Sequence, residues 1–210
     1  MVENFIIVCY NRFDESEFIG GYMGKSLSDM TLKELWELFP IILTEHNEEW
    51  GKWYAEEEKR LAGILPINDI RINHIGSTAI NNIWAKPIID ILVELPVSLY
   101  MDRVKEILIQ NGYRCMAEEA NRKSFNMGYT SGGFAEKVFH LHLRYRGDND
   151  ELYFRDYMND NALLAKQYEE LKLSIWKRFE HDRDGYTLAK KDFVTEQTVK
   201  AKKKYGNKYQ

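Results

Sequence analysis

Apolar and polar residues recur along the chain with two periods, one near four residues and one near two. Thr31 and Glu34 form a capping box ahead of Leu32, Leu35 and Trp36, which predicts a short helix that ends before a proline. Alternating or continuous apolar runs elsewhere predict strands. Together the patterns predict helices near 31–39, 48–62 and 99–110, and strands near 69–75, 87–95, 113–117, 124–129 and 137–145.

Residues 87–95 read Pro-Ile-Ile-Asp-Ile-Leu-Val-Glu-Leu, a nearly unbroken run of residues that favour strands. Such a run is typical of a central strand that is buried on both faces of its sheet. Asp90 lies in the middle of this run. A carboxylate among apolar side chains is costly to bury unless it is paired, protonated or bound to a metal ion, so Asp90 is a candidate functional residue.

From residue 150 onward the pattern is helical, and it predicts three helices near 151–158, 162–179 and 185–203. Residues 1–28 combine a short apolar run with an acidic, glycine-rich stretch and are predicted to be an N-terminal appendage. The predicted division is therefore an appendage at 1–28, a core at 29–150 and a C-terminal helical part at 151–210. Helices and strands followed by a helical tail predict an α/β (α+β) fold in which helices cover a mixed β-sheet core.

The composition fits one main core, because 44% of the 210 residues are hydrophobic. A formal net charge of -4 provides no global positive field for nucleic acid or an anionic membrane, so a nucleic-acid partner is not indicated. The apolar runs are far shorter than the roughly 20 residues that span a bilayer. The polar N-terminus also differs from a signal peptide, and we expect a cytoplasmic protein without membrane contact.

A short turn of Gly76, Ser77 and Thr78 separates the strand predicted at 69–75 from the strand that carries Asp90. Glycine lets the backbone approach a phosphate closely, serine offers a hydroxyl and an amide, and a carboxylate on the next strand can hold a magnesium ion. These are the parts of a nucleotidyl-transfer site. The same spacing also suits a plain turn beside a buried, paired acid, so both interpretations stay open.

Six stretches carry a resemblance to a known family, and they are Leu38-Phe39-Pro40 with Trp50, His74-Ile75-Gly76-Ser77-Thr78-Ala79, Ala85-Lys86-Pro87-Ile88-Ile89-Asp90-Ile91, His140-Leu141-His142-Leu143, Phe154-Arg155-Asp156-Tyr157, and Asp182-Arg183 through Tyr186, Lys190 and Phe193. From about residue 31 to about residue 201 the chain resembles the GrpB family, which belongs to the nucleotidyltransferase (polymerase-β-like) fold superfamily. The resemblance implies a nucleotidyltransferase-like sheet with a metal-dependent site on it.

In that site the resemblance implies Asp90 as the metal ligand, with Ser77 as a second catalytic residue. Active enzymes of the superfamily carry a second acid two positions along the strand, where this chain has Leu92. Glu94 is no substitute, because it lies roughly 13 Å along the strand from Asp90. Two ligands of one magnesium ion need oxygens within about 4.2 Å of each other. The sequence therefore argues against a standard two-metal site.

Candidate phosphate ligands come from both parts of the chain. They are Gly76, Ser77, Thr78 and Lys86 in the core, and Arg155 and Lys190 in the helical part, which could close over the phosphates from the opposite side.

Two histidines offer another way to hold a metal ion. His140 and His142 share one face of their strand, because side chains alternate, and both could point at Asp90 if the two strands are neighbours. With His74 they could form a site of histidines and one carboxylate, which suits manganese, iron or zinc better than magnesium.

Two alternatives to that metal site stay open. In one, the histidines are simply hydrogen-bonded to Asp90 or to the backbone. In the other, Asp90 pairs with a basic side chain (Lys86, Arg144 or Arg155), which leaves a phosphate-binding fold without catalysis.

The predicted function is binding of a nucleotide or another phosphorylated small molecule with a divalent metal ion. Magnesium and manganese are the first candidates for that ion, and zinc is a further one. In the enzymatic version the protein transfers a nucleotidyl group. The alternative is a non-catalytic nucleotide-binding or regulatory module with a degenerate active site.

Overall fold

A computed structural model describes residues 25–65 and 69–210. The predicted appendage at 1–28 lies almost wholly outside these residues and stays a prediction. The helices and strands of the described part are, in chain order, α1 (Leu32–Leu38), α2 (Glu49–Ile64), β1 (Arg71–Ile75), β2 (Ile89–Leu95), α3 (Met101–Gln110), β3 (Arg114–Glu118), β4 (Arg122–Thr130), β5 (Gly133–Tyr145), α4 (Asp150–Asn159), α5 (Ala162–Trp176), α6 (Arg183–Ala189) and α7 (Lys191–Tyr205), with short 3₁₀ turns at Leu27–Asp29 and Ser77–Ala79.

The five strands form one mixed sheet in the order β1-β2-β5-β4-β3. β2 and β5 run parallel, and the other three neighbouring pairs run antiparallel. The predicted fold class, a mixed sheet covered by helices with a C-terminal helical part, is confirmed. β2 is an internal strand in which every residue except Asp90 is buried. The central position predicted for this strand is therefore confirmed, although it begins at Ile89 rather than near residue 87.

One face of β2 belongs to the main hydrophobic core. Ile89, Ile91 and Val93 are fully buried there together with Leu61 of α2 and Val104 of α3. Side chains alternate along a strand, so these residues share one face and their neighbours point the opposite way. Helices α2 and α3 therefore cover one side of the sheet and leave the side of Asp90 to the rest of the chain.

The other face of β2 meets the C-terminal helical part. Leu92 packs there in a small buried cluster with Ile75 of β1 and Leu152 of α4. Helix α4 in turn packs against α7 and β1. The helices after residue 150 thus form the layer that faces Asp90.

The prediction of three C-terminal helices is wrong, because the described chain has four. The helix predicted at 185–203 is interrupted at Lys190, which ends α6 and precedes α7. Asp182 caps the start of α6 by accepting a hydrogen bond from the backbone of Gly185 at 2.8 Å. Lys190 itself has dihedral angles close to helical values, φ −97° and ψ −9°, so no glycine or proline marks the break in the sequence.

Within the described ranges, no helix combines the length and the apolar character that crossing a bilayer requires.

Candidate functional site

A cleft of about 430 Å³ lies between the Asp90 face of the sheet and helices α4 to α7. It brings together most of the residues that the sequence singles out, namely Gly76, Ser77, Thr78, Lys86, Asp90, His140 and Lys190. The sheet side supplies the glycine turn and the acid, and the helical side supplies lysines and aromatic side chains. Except for Arg155, the phosphate ligands predicted in the core and in the C-terminal helical part therefore line the same cleft.

The turn at Gly76 is built directly against Asp90. Gly76 has φ +72° and ψ −170°, a conformation that side-chain-bearing residues avoid. A Cβ atom on Gly76 would lie 2.9 Å from both Cβ and Cγ of Asp90. Only glycine lets the backbone pass this close to the carboxylate. Next to it, Ser77 Oγ has no hydrogen-bond partner within the described residues and opens on the cleft.

Both predicted histidines lie beside Asp90. The parallel pairing of β2 with β5 sets Asp90 opposite His140 and Leu92 opposite His142. His140 Nδ1 is 3.3 Å and His142 Nε2 is 3.8 Å from Asp90 Oδ1. The expectation that the two strands are neighbours is confirmed. Whether the histidines bind a metal ion stays a prediction.

His140 is held by a chain of hydrogen bonds that begins on α6. Arg183 donates to the hydroxyl of Tyr129 at 2.6 Å, and Tyr129 Oη is 2.7 Å from His140 Nε2. Because a carboxylate can only accept, the imidazole proton lies on Nδ1 and points at Asp90. Nε2 then accepts the proton of Tyr129. Since Nδ1 carries this proton, the arrangement favours the interpretation in which His140 is hydrogen-bonded to Asp90.

The charges at this point follow from the same contacts. Burial lowers the pKa of His140 to about 4, so the imidazole is neutral near pH 7. Burial alone would raise the pKa of Asp90, but hydrogen bonds from His140 and His142 outweigh it and hold this pKa below its usual range. Asp90 is therefore an ionised carboxylate at the floor of the cleft.

Asp90 does not pair with Arg144, as one alternative supposed. Arg144 forms ion pairs with Asp148 at 3.3 Å and with Glu151 at 2.9 Å. The partners of Asp90 are the two histidines of β5.

His74 does not join this group, and its inclusion in the metal site is corrected. In the antiparallel pairing of β1 with β2, His74 lies opposite Ile91, whereas Ile75 lies opposite Asp90. Directly paired residues point to the same face, so His74 is on the α2 side of the sheet. There it stacks on Tyr54 with ring centroids 4.7 Å apart, and burial lowers its pKa to about 4.

Arg155 is also misplaced by the sequence prediction. Its guanidinium donates to the carbonyl of His74 at 2.8 Å and forms an ion pair with Asp156 at 2.8 Å. It does not line the cleft. Arg155 fastens α4 to β1, and a role in phosphate binding does not fit this position.

Thr78 lines the cleft, but its hydroxyl has structural partners. Thr78 Oγ1 donates to the carbonyl of Ile88 at 3.1 Å and lies 3.0 Å from His74 Nε2. These bonds fix the turn that carries Ser77. A phosphate contact of Thr78 therefore stays a prediction. The backbone of Thr78 suits that contact better than its hydroxyl, which is already hydrogen-bonded.

Three lysines from different elements meet in the cleft without a carboxylate partner. Among the described residues, no acid lies within 4.0 Å of the amines of Lys86, Lys172 or Lys190. Lys190 and Lys86 stand 4.2 and 5.7 Å from the ring centre of Tyr186. Lys172 is 1% exposed and donates to the carbonyl of Trp84. Burial lowers the pKa of both Lys86 and Lys172 to about 7.

Lys172 and Tyr186 are not among the site residues predicted from the sequence, where Tyr186 appears only in a stretch that carries the family resemblance. One signal did point to the lysine. Ala165, Tyr168 and Lys172 follow one another at helical spacing and are all buried. A lysine on the apolar face of a helix is unusual and marks a site where its charge is needed or compensated. Tyr186 carries no such signal, because a tyrosine in a helix is an ordinary core residue. Its hydroxyl is buried and has no hydrogen-bond partner among the described residues.

The donors around Asp90 fit one cation better than two. Leu92 occupies the position of the second acid, and Glu94 is 1% exposed with its carboxylate accepting from Asn149 at 2.8 Å. In the described ranges, no group of three His, Cys, Asp or Glu side chains is arranged to hold a metal ion. Asp90 can supply one carboxylate oxygen, and further oxygens would have to come from a bound phosphate or water.

Comparisons with known proteins give consistent matches. Residues 40–200 match the family model described as "GrpB protein". The glutamate-rich protein GrpB of Alkalihalophilus pseudofirmus is 35% identical over 161 residues, which is 74% of this chain and 92% of that protein. YqkA of Bacillus subtilis is 29% identical over 205 residues, or 93% of this chain, but the match spans only 57% of YqkA.

Solved structures agree with the sequence matches. The crystal structure of GrpB from Enterococcus faecalis has a TM-score of 0.67 and 30% identity, covering 78% of this chain and 99% of that chain. Cid1 poly(U) polymerase aligns over 68% of this chain and 44% of that chain, with a TM-score of 0.44 and 14% identity. The second likeness is too weak to support a shared function.

Proposed function

We propose that this chain, which belongs to the GrpB family, binds a nucleotide or another phosphorylated small molecule in the cleft, together with a divalent metal ion. One observation carries the proposal: the Gly76-Ser77 turn and the ionised Asp90 face Lys86 and Lys190 across the same space. A glycine turn offers backbone donors, and Ser77 and the two lysines offer a hydroxyl and ammonium groups that have no acidic partner among the described residues; such donors suit phosphate oxygens. An ionised carboxylate beside them suits the cation that accompanies a phosphate chain.

In its enzymatic form the proposal is nucleotidyl transfer. An acceptor hydroxyl forms a bond to the α-phosphorus, the bond from that phosphorus to the β-phosphate bridge breaks, and pyrophosphate leaves while the hydroxyl proton is released to solvent. Asp90 would hold the ion, which when bound neutralises charge on the phosphates. Ser77 and Lys86 would steady the leaving pyrophosphate.

A second candidate is a non-catalytic binding or regulatory module. Leu92 in place of the second acid favours it, as does the engagement of Glu94 by Asn149. This module would bind the same ligands without turning them over.

The test is thermal unfolding of wild type, Asp90→Asn and the matched control Glu94→Gln with a panel of nucleotides, each with and without magnesium or manganese. A ligand at a hundred times its Kd adds about 2.7 kcal/mol, which raises the midpoint by roughly 5 to 10 °C in a domain of this size. We expect such a shift with metal in wild type and Glu94→Gln, and a smaller one in Asp90→Asn. If no nucleotide shifts wild type, the proposal is wrong.

Pyrophosphate release separates the two candidates. Metal-dependent release that disappears in Asp90→Asn supports transfer. Binding without release supports the module.

A further inference from the structure

We propose that Lys86 is a nucleophilic amine that takes the acyl group of a small acyl phosphate, so that it is a site of covalent modification inside the cleft. The inference goes beyond the proposed function, because it needs neither a nucleotide nor a metal ion. It treats Lys86 as a reacting group rather than as a ligand of a phosphate.

The first argument is the freedom of the Lys86 amine. Lys86 lies in the segment that leads into β2, is partly exposed and lines the cleft. Among the described residues, its nitrogen has no hydrogen-bond acceptor and no carboxylate within 4.0 Å. Lys172 differs, because it is 1% exposed and donates to the carbonyl of Trp84. Of these two lysines, Lys86 is therefore the one whose nitrogen can reach a bound molecule.

The second argument is the set of charges that face this amine. They come from Arg183 on α6, Lys190 at the junction of α6 and α7, Lys172 on α5 and Asp90 on β2. Three of the four are positive, and the carboxylate is already held by two histidines of β5. A buried ammonium group among other cations loses its proton readily and becomes a nucleophile. Burial first, and then Arg183 and Lys190, lower the pKa of Lys86 to about 7, so a large share of the amine is neutral near pH 7.

The third argument concerns the chemical class of the electrophile. Lys190 has no carboxylate within 4.0 Å among the described residues either, and it is a neighbour of Lys86, because the two amines lie 4.2 and 5.7 Å from the ring centre of Tyr186. A cationic neighbour attracts an anionic reagent and stabilises an anionic leaving group. An acyl phosphate has both properties, and the cleft of about 430 Å³ has room for a small one.

The reaction is a simple acyl transfer. The neutral Nζ of Lys86 forms a bond to the carbonyl carbon, and the bond from that carbon to the phosphate oxygen breaks. Inorganic phosphate leaves with the electron pair of that bond, and the extra proton on the nitrogen passes to solvent. The products are an uncharged amide on Lys86 and one orthophosphate.

The experiment incubates the full chain with acetyl phosphate, without metal or nucleotide, and follows acetylation of each lysine by peptide mass spectrometry from pH 6 to 10. Lys52 is the internal reference, because it is exposed and a hydrogen bond to Glu49 raises its pKa. We expect Lys86 to react at least about 10-fold faster than Lys52 at pH 7.5, because far more of its amine is neutral there. The rate at Lys86 should level off above pH 8, whereas the rate at Lys52 should keep rising.

A second reagent tests the role of the phosphate. N-hydroxysuccinimidyl acetate carries the same acyl group without a phosphate, so its preference for Lys86 over Lys52 should be smaller. Equal preference with both reagents would overturn the assignment to acyl phosphates. Acetylation of Lys86 no faster than that of Lys52, or the same pH profile at both lysines, would overturn the inference as a whole.

A pair of variants tests the source of the reactivity. Lys190→Gln removes one of the charges that lower the pKa of Lys86, so the pH at which acetylation of Lys86 levels off should rise. The control Lys177→Gln removes an exposed lysine that pairs with Glu180 at 3.1 Å, and it should leave that pH unchanged. An unchanged profile in Lys190→Gln would contradict the argument from charge. Nucleotide binding that needs metal and Asp90 is measured separately, so either proposal can fail while the other stands.

Discussion

The contact between Gly76 and Asp90 makes a sharp prediction about Gly76→Ala. An alanine there would adopt φ +72° and ψ −170°, and its Cβ would lie 2.9 Å from Cβ and Cγ of Asp90. Backbone strain of this kind costs about 1 to 3 kcal/mol. Forcing an extra carbon into a packed site costs about 1 to 3 kcal/mol more. Because Asp90 is held by two histidines on an internal strand, it cannot easily move aside.

Gly147 provides the matched control. It also has a positive φ, +89°, but no atom lies within 4 Å of the position of its missing Cβ. Gly147→Ala therefore introduces backbone strain without the overlap. The difference between the two variants contains the overlap with Asp90, and we expect Gly76→Ala to be the less stable by about 1 to 3 kcal/mol.

The assay is urea denaturation of both variants under the same conditions, with the free energy of unfolding compared at a common slope. A third variant, Gly76→Ala combined with Asp90→Ala, removes the carboxylate and should recover part of the excess loss. If Gly76→Ala and Gly147→Ala are destabilised equally, the turn does not depend on its closeness to Asp90, and the reasoning about this site fails.

Two other predictions follow from the charges and hydrogen bonds of the site. Tyr129→Phe leaves the Nε2 atom of the partly buried His140 without its donor, so it should destabilise the protein by about 1 to 3 kcal/mol in urea denaturation. An unchanged midpoint would contradict the hydrogen-bond chain. The pKa values of Lys86 and Lys172, lowered to about 7, predict that nucleotide affinity falls as pH rises from 7 to 9, because both ammonium groups lose their charge, and calorimetry would detect the change. Between pH 7 and 10.5 the unfolded chain binds more protons at these lysines than the folded chain does, so the free energy of unfolding should rise with pH. Lys172→Met should flatten that rise. Equal pH dependence in wild type and Lys172→Met would refute this prediction.

The sequence was sufficient for the parts of the site that depend on local periodicity. The apolar run around Asp90 predicted an internal strand, and alternation placed His140 and His142 on one face. Given that alternation, both histidines contact Asp90 once β5 pairs with β2.

The parts that failed depend on strand direction and on helix placement. His74 would lie on the same face of the sheet as Asp90 only if β1 paired with β2 in another register. The alternation of side chains within one strand does not tell in which register that strand pairs with its neighbour. Arg155 was a candidate by its charge alone, but its position on α4 turns it toward the carbonyl of His74. Lys172 and Tyr186 reach the cleft only through the packing of α5 and α6, which no local pattern specifies.

The packing of Leu92 determines how readily this protein could acquire a second acidic metal ligand. Because Leu92 is fully buried with Ile75 and Leu152, an aspartate introduced there would place a carboxylate in an apolar cluster. A single substitution would thus lower the stability of the fold before a second metal ligand could form. Making room for a second acid would therefore require changes at Leu92, Ile75 and Leu152 together, which lie on two strands and a helix.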